Sequence, residues 1–430
     1  MTHVHVIGGG LAGLSAAIEL AGRAFVTVHE AGPACGGRAR SYHDKALGTR
    51  IDNGNHLVLS ANDAVFRYLG LIGAEKSLKG PGVPIFPYFD LEADLAWTLR
   101  LSRGRVPFWA LPGGARVPGM KMRELGSLFR LMKADDAATV ESCLIPGMLS
   151  RRLLEPFAVS ALNTDCATGS ARLLGNIVEQ SLAKGGMACC PWYPSEGLSE
   201  SFVDPAVAHL GALGSEVRHG ARVTGLETRD GRVTALVFGA ETVALGAEDH
   251  VVMAVPAPVA SGLLAPHWPG FTAPDAFESI VNVHYRLPEA PDVRGRVAQA
   301  GFVGVVGGIT EWVFVKDDIL SVTVSAANRY GSRDHEDLKA TIWQEVRRVI
   351  GPVVSGGLPV VMPPVRLVWE KRATFAATPA QDRLRPGAAT PFGNMVLAGD
   401  WTQTGLPSTI EGAIRSGVTA SRASGLLPGG

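Results

Sequence analysis

The sequence predicts an α/β protein in which a doubly wound parallel sheet is interrupted by a second, α+β unit. Three observations predict this. Residues 3–29 read strand, glycine turn, small-residue helix, strand; residues 394–417 read strand, Gly-Asp turn, helix; and the apolar run from Phe302 to Ala326 alternates with the period of two expected of half-buried strands.

The N-terminal unit comes first. A short apolar strand, His3 to Ile7, runs into Gly8-Gly9-Gly10-Leu11-Ala12-Gly13, then a helix over Leu14 to Ala21, a strand over Phe25 to His29, and the acid Glu30. This is a dinucleotide-binding βαβ pattern. Gly8 permits the tight turn, Gly10 lets backbone N–H groups approach a pyrophosphate, and Gly13 lets helix and strand pack closely, while the helix N-terminus supplies partial positive charge. Glu30 stands at the end of the second strand, where a carboxylate accepts hydrogen bonds from a ribose, which favours a free 2′-hydroxyl over a 2′-phosphate. Glycine turns of this kind also arise from packing alone. The next segment, Cys35-Gly36-Gly37-Arg38-Ala39-Arg40-Ser41, sharpens the reading, because it sets a second backbone loop and a cation beside the same pyrophosphate.

Further along, Ile51-Asp52-Asn53-Gly54-Asn55-His56-Leu57 is a strand end and a polar turn, in which turn chemistry by itself accounts for Asp52 and Asn53. His56 is either a satisfied core histidine or a functional one. Helical spacing follows from Ala61 to Gly73, and the Pro/Gly-rich stretch of residues 80–87 marks an exit near residue 85. Phe86 to Trp109 alternates like sheet. Met120 to Ala134 reads as one amphipathic helix, with Leu125, Leu128, Phe129 and Met132 on one side and Lys121, Arg123, Arg130 and Lys133 elsewhere: a solvated domain helix, or a contact with anionic lipid headgroups. Residues 139–184 are predicted helical, broken at Asn163-Thr164 and Thr168-Gly169. Trp192 and Tyr193 are open to two readings, walls of a hydrocarbon tunnel or packing alone.

The chain then predicts a helix over Ser201 to Leu213 and short strands at 216–218, 223–229 and 233–238, with Asp230-Gly231 as a hairpin turn. Val251 to Val255 is a buried strand. Ser279 to Leu287 and Phe302 to Ala326 form a second sheet, in which Gly301, Gly304, Gly307 and Gly308 fit bends and not a second nucleotide fingerprint. Glu336 to Ile350 is a helix, and residues 352–364 are a loop.

Composition narrows the function. Forty basic and forty acidic residues balance, so no global field recruits nucleic acid. The five cysteines (Cys35, Cys143, Cys166, Cys189, Cys190) show no metal-ligand spacing and read as reduced thiols, so no metal is predicted. No leader pattern and no apolar span are evident, which predicts a cytoplasmic protein, soluble or peripheral on the inner face of the cytoplasmic membrane. Hydrophobic residues make up 46% of the chain against 19% charged, enough for an apolar cavity as well as a core.

The two glycine segments, with Gly399-Asp400-Trp401-Thr402 and Glu411-Gly412-Ala413, resemble the flavin-binding amine oxidase and phytoene desaturase superfamily. The resemblance implies a Rossmann-like FAD-binding domain of the glutathione-reductase and amine-oxidase type with an interleaved α+β substrate-binding domain. The boundaries expected are 1–85, 196–260 and 388–430 for the former, and 86–195 and 261–387 for the latter. It further implies that Asp400 meets the ribityl-phosphate region, that the helix opened by Glu411, Gly412 and Ala413 points its N-terminus at the flavin pyrimidine, and that Val223 lies beside the adenine. Asp52, Gly54 and His56 match a segment that passes the flavin ring. The whole chain is similar to one branch, the hydroxysqualene dehydroxylases, which carry out reductive loss of an allylic hydroxyl to give squalene in hopanoid synthesis. That implies a lipophilic isoprenoid substrate, His56 as proton donor with Asp52 orienting or sharing the proton, and an external electron donor, either NAD(P)H or a reductase. Two alternatives stand beside it: a carotenoid or terpenoid desaturase running hydride the other way, and a non-catalytic prenyl carrier.

Overall fold

In the computed structural model, which describes residues 2–111 and 116–427, the glycine turn lies where two halves of the chain meet. The elements that place it are β1 (His3–Ile7), α1 (Leu11–Leu20), β2 (Phe25–His29), α2 (Asp63–Leu71), β3 (Glu216–Arg218), β4 (His250–Met253), β5 (Met395–Leu397) and α3 (Ile410–Ala423). The strands form a parallel sheet in the order β3-β2-β1-β4-β5. Strand order reverses between β2-β1 and β1-β4, and open α/β sheets bind ligands outside the carboxyl ends of the strands at such a point.

One face of this sheet buries Val4, Val6, Val26 and Val28 against α1, α3 and Asp204–Ala212. The helices α1 and α3 touch closely enough that a Cβ on Gly417 would lie 2.4 Å from the Ala12 carbonyl oxygen. The three-stranded meander Gly225–Arg229, Arg232–Phe238, Glu241–Ala244 forms a sheet of its own. Its hairpin turns at Asp230 (φ 49°) and Gly231 (φ 70°), both left-handed, as the Asp-Gly pair predicts.

The other large sheet has seven strands, in the order Val365–Phe375, Phe277–Arg286, Ile319–Val324, Trp312–Lys316, Phe302–Val306, Ile85–Asp90, Leu95–Arg100. Its first face, with Val281, Val283, Tyr285, Leu320 and Val322, packs on the helix His335–Ile350. Its second face carries Asn282, His284, Phe302, Trp312, Phe314, Lys316, Ser321 and Thr323, by the alternation of the paired registers.

Two expectations change. The single helix over Met120–Ala134 is a 3₁₀ turn, Met122–Leu125, followed by a short helix, Gly126–Met132. Glu124 turns inward, 1% exposed, and accepts from Leu149 N (2.7 Å) and Lys121 N (3.1 Å), so its carboxylate sets the turn and Gly126 restarts the helix. The strand-like stretch after Arg100 ends in a 3₁₀ turn at Phe108–Ala110. The long strand Val365–Phe375 follows the predicted loop; much of it is only half-buried, so the alternation expected of a strand is blurred there.

Candidate active site

The glycine turn is a cradle of bare backbone. Gly8 adopts φ 107°, and a Cβ there would meet the Ala254 oxygen at 2.6 Å. Gly13 packs so tightly on the turn that a Cβ would lie 2.0 Å from Gly8 O, whereas a Cβ on Gly10 would meet nothing within 4 Å. Two glycines are thus committed to closure and one faces open space. The second loop rests on the first: Gly36 N donates to Gly9 O (2.8 Å), and both Gly36 (φ 106°) and Gly37 (φ 58°) are left-handed. The Glu30 carboxylate ties the loops together, accepting from Gly9 N (2.8 Å) and Gly32 N (2.6 Å). Ala221 N donates to Glu30 O (2.9 Å), which brings the segment ahead of Val223 beside the acid. Val223 itself is buried with Leu226 and Leu236. A cleft of about 390 Å³ opens here, lined among others by His29, Arg218, Ala221, Arg222 and Phe238.

The C-terminal segment crosses this cradle. Gly399 (φ 149°) donates its N–H to Ser416 Oγ (2.8 Å), and Trp401 Nε1 donates to Val255 O (2.9 Å). Asp400 is 6% exposed and accepts from Arg38 Nη2 at 2.5 Å, while Arg38 Nη1 donates to Ala373 O (2.7 Å). Arg38 is therefore neutralised by Asp400. Arg385, 4% exposed and not singled out from sequence, fixes the same loop through Asp382 (2.9 Å) and the carbonyls of Asp400 and Thr402. Thr409 caps α3 by accepting from Gly412 N (2.9 Å), with Ala413 in its first turn. Glu411 points elsewhere: its carboxylate accepts from Ala64 N and Val65 N at the start of α2 and from Arg415 (2.8 Å). Its work is to fix α3 against α2. The neighbouring Ser408 Oγ is buried without a partner among the described residues, a polar atom suited to a ligand at this helix end.

The segment 52–56 spans the gap between the two halves. Asp52, 5% exposed, accepts from Ser41 Oγ (2.6 Å), Leu198 N (2.8 Å) and Lys316 Nζ (2.7 Å). Burial alone would raise its carboxyl, but the Lys316 ammonium and these donors hold it below the usual carboxylate range. Asn55 Nδ2 donates to Ser321 Oγ (2.7 Å) and Thr323 Oγ1 (3.1 Å), Thr323 Oγ1 to Asn282 Oδ1 (2.9 Å), and Asn282 Nδ2 to Asn53 O (3.2 Å). Ser321 Oγ also meets His284 Nδ1 (2.8 Å). Asn55 Oδ1 and His284 Nε2 remain buried without partners among the described residues. Burial lowers both His56 and His284 to about 4, so each is a neutral imidazole near pH 7. The imidazolium expected from the ordinary histidine range is not favoured at His56, and the positive charge in this network belongs to Lys316. Beside Leu57 lies an aromatic cluster of Tyr193, Phe302 and Phe314 with Phe86 and Trp312 against it. Trp192, by contrast, packs with the core under α2 and donates to Ser60 Oγ (2.9 Å).

These parts can hold a dinucleotide along bare N–H groups and a helix end, and can present an aromatic wall with one ammonium and two neutral imidazoles. A profile of the family described as "Flavin containing amine oxidoreductase" matches residues 11–423. The chain is 44% identical over 422 residues to the hydroxysqualene dehydroxylase of Rhodopseudomonas palustris, covering 97% of each chain. It is 41% identical to the hydroxysqualene dehydroxylase of Zymomonas mobilis, covering 98% of each. Among solved structures, cyclohexylamine oxidase from Brevibacterium oxydans superposes with a TM-score of 0.67 at 19% identity over 98% of both chains.

Proposed function

The chain belongs to the flavin containing amine oxidoreductases and, within them, to the hydroxysqualene dehydroxylase family, and on that footing we propose that it removes the allylic hydroxyl of hydroxysqualene reductively, giving squalene for hopanoid synthesis. It is an FAD-dependent oxidoreductase. The observation that carries the substrate reading is the second face of the seven-stranded sheet, where Phe302, Trp312 and Phe314 stand beside Lys316 and His284. An isoprenoid chain needs the aromatic surface, and ionisation of an allylic alcohol needs a proton at the oxygen and electron-rich rings near the resulting cation.

Gly8, Gly10, Gly13, Glu30, Gly36, Gly37, Arg38 and Val223, with Gly399, Asp400 and the Gly412-Ala413 helix end, would hold FAD, which when bound and reduced would supply the hydride equivalent that replaces the hydroxyl. The chain's own residues handle the proton. His56, neutral at physiological pH, hydrogen-bonds the departing hydroxyl, and Lys316 supplies the proton from an ammonium held in place by Asp52. Asp52 is then a positioning residue, its two oxygens already occupied by Ser41, Leu198 and Lys316. An external nicotinamide or reductase restores the flavin.

Anaerobic incubation of the dithionite-reduced holoenzyme with hydroxysqualene tests this. Squalene should form with deuterium at the former carbinol carbon when the reduction is done in deuterated buffer. Double bonds appearing in a hydrocarbon with the oxidised enzyme, and no turnover of the alcohol, would put the desaturase reading in its place. A second element of the proposal is peripheral contact with anionic lipid through residues 103–111 and 121–133. Val106, Phe108, Leu111, Met122 and Phe129 are exposed there, Phe129 at 65%, among the exposed Arg103, Arg105, Lys121, Arg123, Arg130 and Lys133. No helix among the described residues is long and apolar enough to cross a membrane.

A further inference from the structure

At the end of the parallel sheet away from the glycine cradle, His3 and His5 project from one side of β1, two residues apart, while Val4 and Val6 are buried on the other side with α1. The neighbouring strand β4 pairs with β1 so that His250 faces Val4, which sets Asp249, just ahead of β4, beside the two histidines. One ligand atom from each of His3, His5 and Asp249 lies within 4.8 Å of the others. Each side chain is also held from behind. His5 Nδ1 meets His29 Nε2 (3.1 Å), His3 Nε2 meets Thr27 Oγ1 (2.9 Å), and Asp249 Oδ2 accepts from Gly246 N (2.7 Å). That leaves one ring nitrogen on each histidine and one carboxylate oxygen without a hydrogen-bond partner among the described residues.

Metal-ligating imidazoles share this arrangement, in which a polar partner on one nitrogen fixes the tautomer and leaves the lone pair of the other for the ion. His29 is a second imidazole in that outer position, 2% exposed. The nearby cation Arg218 is engaged by Glu216 (2.9 Å) and so does not stand unopposed against a metal.

We propose that His3, His5 and Asp249 bind one divalent cation of the zinc class, with His29 and Thr27 as outer partners, and that the ion ties β1 to β4. Two imidazoles and one carboxylate suit zinc and its neighbours; calcium and magnesium prefer all-oxygen shells. The two histidines lie about 10 Å (His5) and about 16 Å (His3) along β1 from the glycine turn, at about 3.3 Å per residue. The site's role is to pin strands whose residues are far apart in sequence, and it takes no part in hydride chemistry.

The test uses FAD-loaded protein purified without a histidine tag and dialysed against EDTA, titrated calorimetrically with zinc chloride. One equivalent should bind to the wild type, and zinc at about a hundredfold above its Kd should raise the melting temperature by about 3 °C. Cobalt(II) in the same site should give the visible absorption of a tetrahedral ion. His3→Ala/Asp249→Asn, at two part-exposed positions, should keep its flavin and lose zinc affinity by at least about 100-fold. His5→Gln should behave likewise, while a surface control, His335→Ala, should not. Failure of the wild type to bind zinc, or equal binding by the double variant, would overturn the site, and neither result bears on the dehydroxylase reading.

Discussion

Replacing Asp52 by asparagine probes the charge pair that joins the two halves of the proposed active site. The substitution keeps shape and one oxygen but removes the counter-ion of Lys316, whose side chain is only 16% exposed. Breaking a buried pair from one side costs about 3–5 kcal/mol, because the remaining charge is stranded. The partial exposure of Lys316 puts the expectation near the lower limit, about 3 kcal/mol. Unfolding entropy of about 2.1 cal/mol/K per residue gives about 0.9 kcal/mol/K for the 430-residue chain, hence a fall in melting temperature of about 3 °C. Lys316→Met should cost less, about 1–2 kcal/mol, since Asp52 keeps its bonds from Ser41 and Leu198. The double variant strands no charge and should be more stable than Asp52→Asn alone, with a coupling energy of about 2 kcal/mol. The sign of the pH dependence follows from the depressed carboxyl of Asp52. Its contribution is fully present above the unfolded carboxylate value of about 3.9 and disappears as pH falls through the folded value, so the Asp52→Asn penalty should shrink in strong acid. Calorimetry on the three variants with matched flavin content decides the matter. Additive single costs, with coupling below about 0.5 kcal/mol, would refute the claim that this pair clamps the site.

Other perturbations separate binding from folding. Gly10→Ala should leave the melting temperature of flavin-free protein nearly unchanged yet lower FAD occupancy, while Gly13→Ala, whose Cβ would lie 2.0 Å from Gly8 O, should destabilise the fold by about 1–3 kcal/mol; equal stability losses would remove the distinction. Glu30→Ala should weaken FAD binding by about 10–150-fold, from a lost charge-assisted hydrogen bond of about 1.5–3 kcal/mol, and full FAD retention would take Glu30 out of the site. His5, lowered to about 3, and His29, His56 and His284, each lowered to about 4, bind protons in the unfolded chain between about pH 6.5 and 4 but not in the folded one, so stability should fall as pH falls there by up to about 5.4 kcal/mol per unit. His56→Ala should remove about a quarter of that slope, keep its FAD, and slow reoxidation of the reduced enzyme by hydroxysqualene; an unchanged reoxidation rate would exclude His56 from the reaction. Phe108→Ser/Phe129→Ser should abolish salt-sensitive cosedimentation with phosphatidylglycerol vesicles, and absence of wild-type binding even at low salt would dismiss the lipid contact.

What could be read in the sequence was what backbone geometry dictates locally. The turn at Gly8, the close packing at Gly13, the Asp230-Gly231 hairpin and the helix His335–Ile350 each follow from a few adjacent residues, and each is present. What could not be read depends on registers between distant strands. Lys316 is one charge at a strand end, and only the pairing of Trp312–Lys316 with Ile319–Val324 puts it on the same sheet face as Ser321 and His284. Arg385 carries no local signal in the sequence, and only the fold encloses it between Asp382 and the carbonyls of Asp400 and Thr402. His-x-His at the chain start is too short a pattern to single out when its third partner, Asp249, lies in a distant part of the chain.

The acids picked out by sequence fall into two groups, and the division bears on how the cofactor is held. Among the described residues the Glu30 carboxylate is met by backbone N–H groups and by no cationic side chain. Asp400 is cancelled by Arg38, and Glu411 is consumed by Arg415 and the first turn of α2. With Arg38 already paired to Asp400, its guanidinium is not offered unopposed to a pyrophosphate, and the favourable field next to Gly10 comes from the N-terminus of α1, where no side chain caps the helix. FAD affinity should then respond strongly to backbone-disrupting changes in the two glycine loops. Arg38→Met should act chiefly through release of Asp400, leaving a buried carboxylate beside the proposed FAD site, and Arg38→Met/Asp400→Asn should recover part of the lost FAD binding. If the double variant binds FAD no better than Arg38→Met, Arg38 contacts the phosphates directly, and the neutral-pair account of this site is wrong.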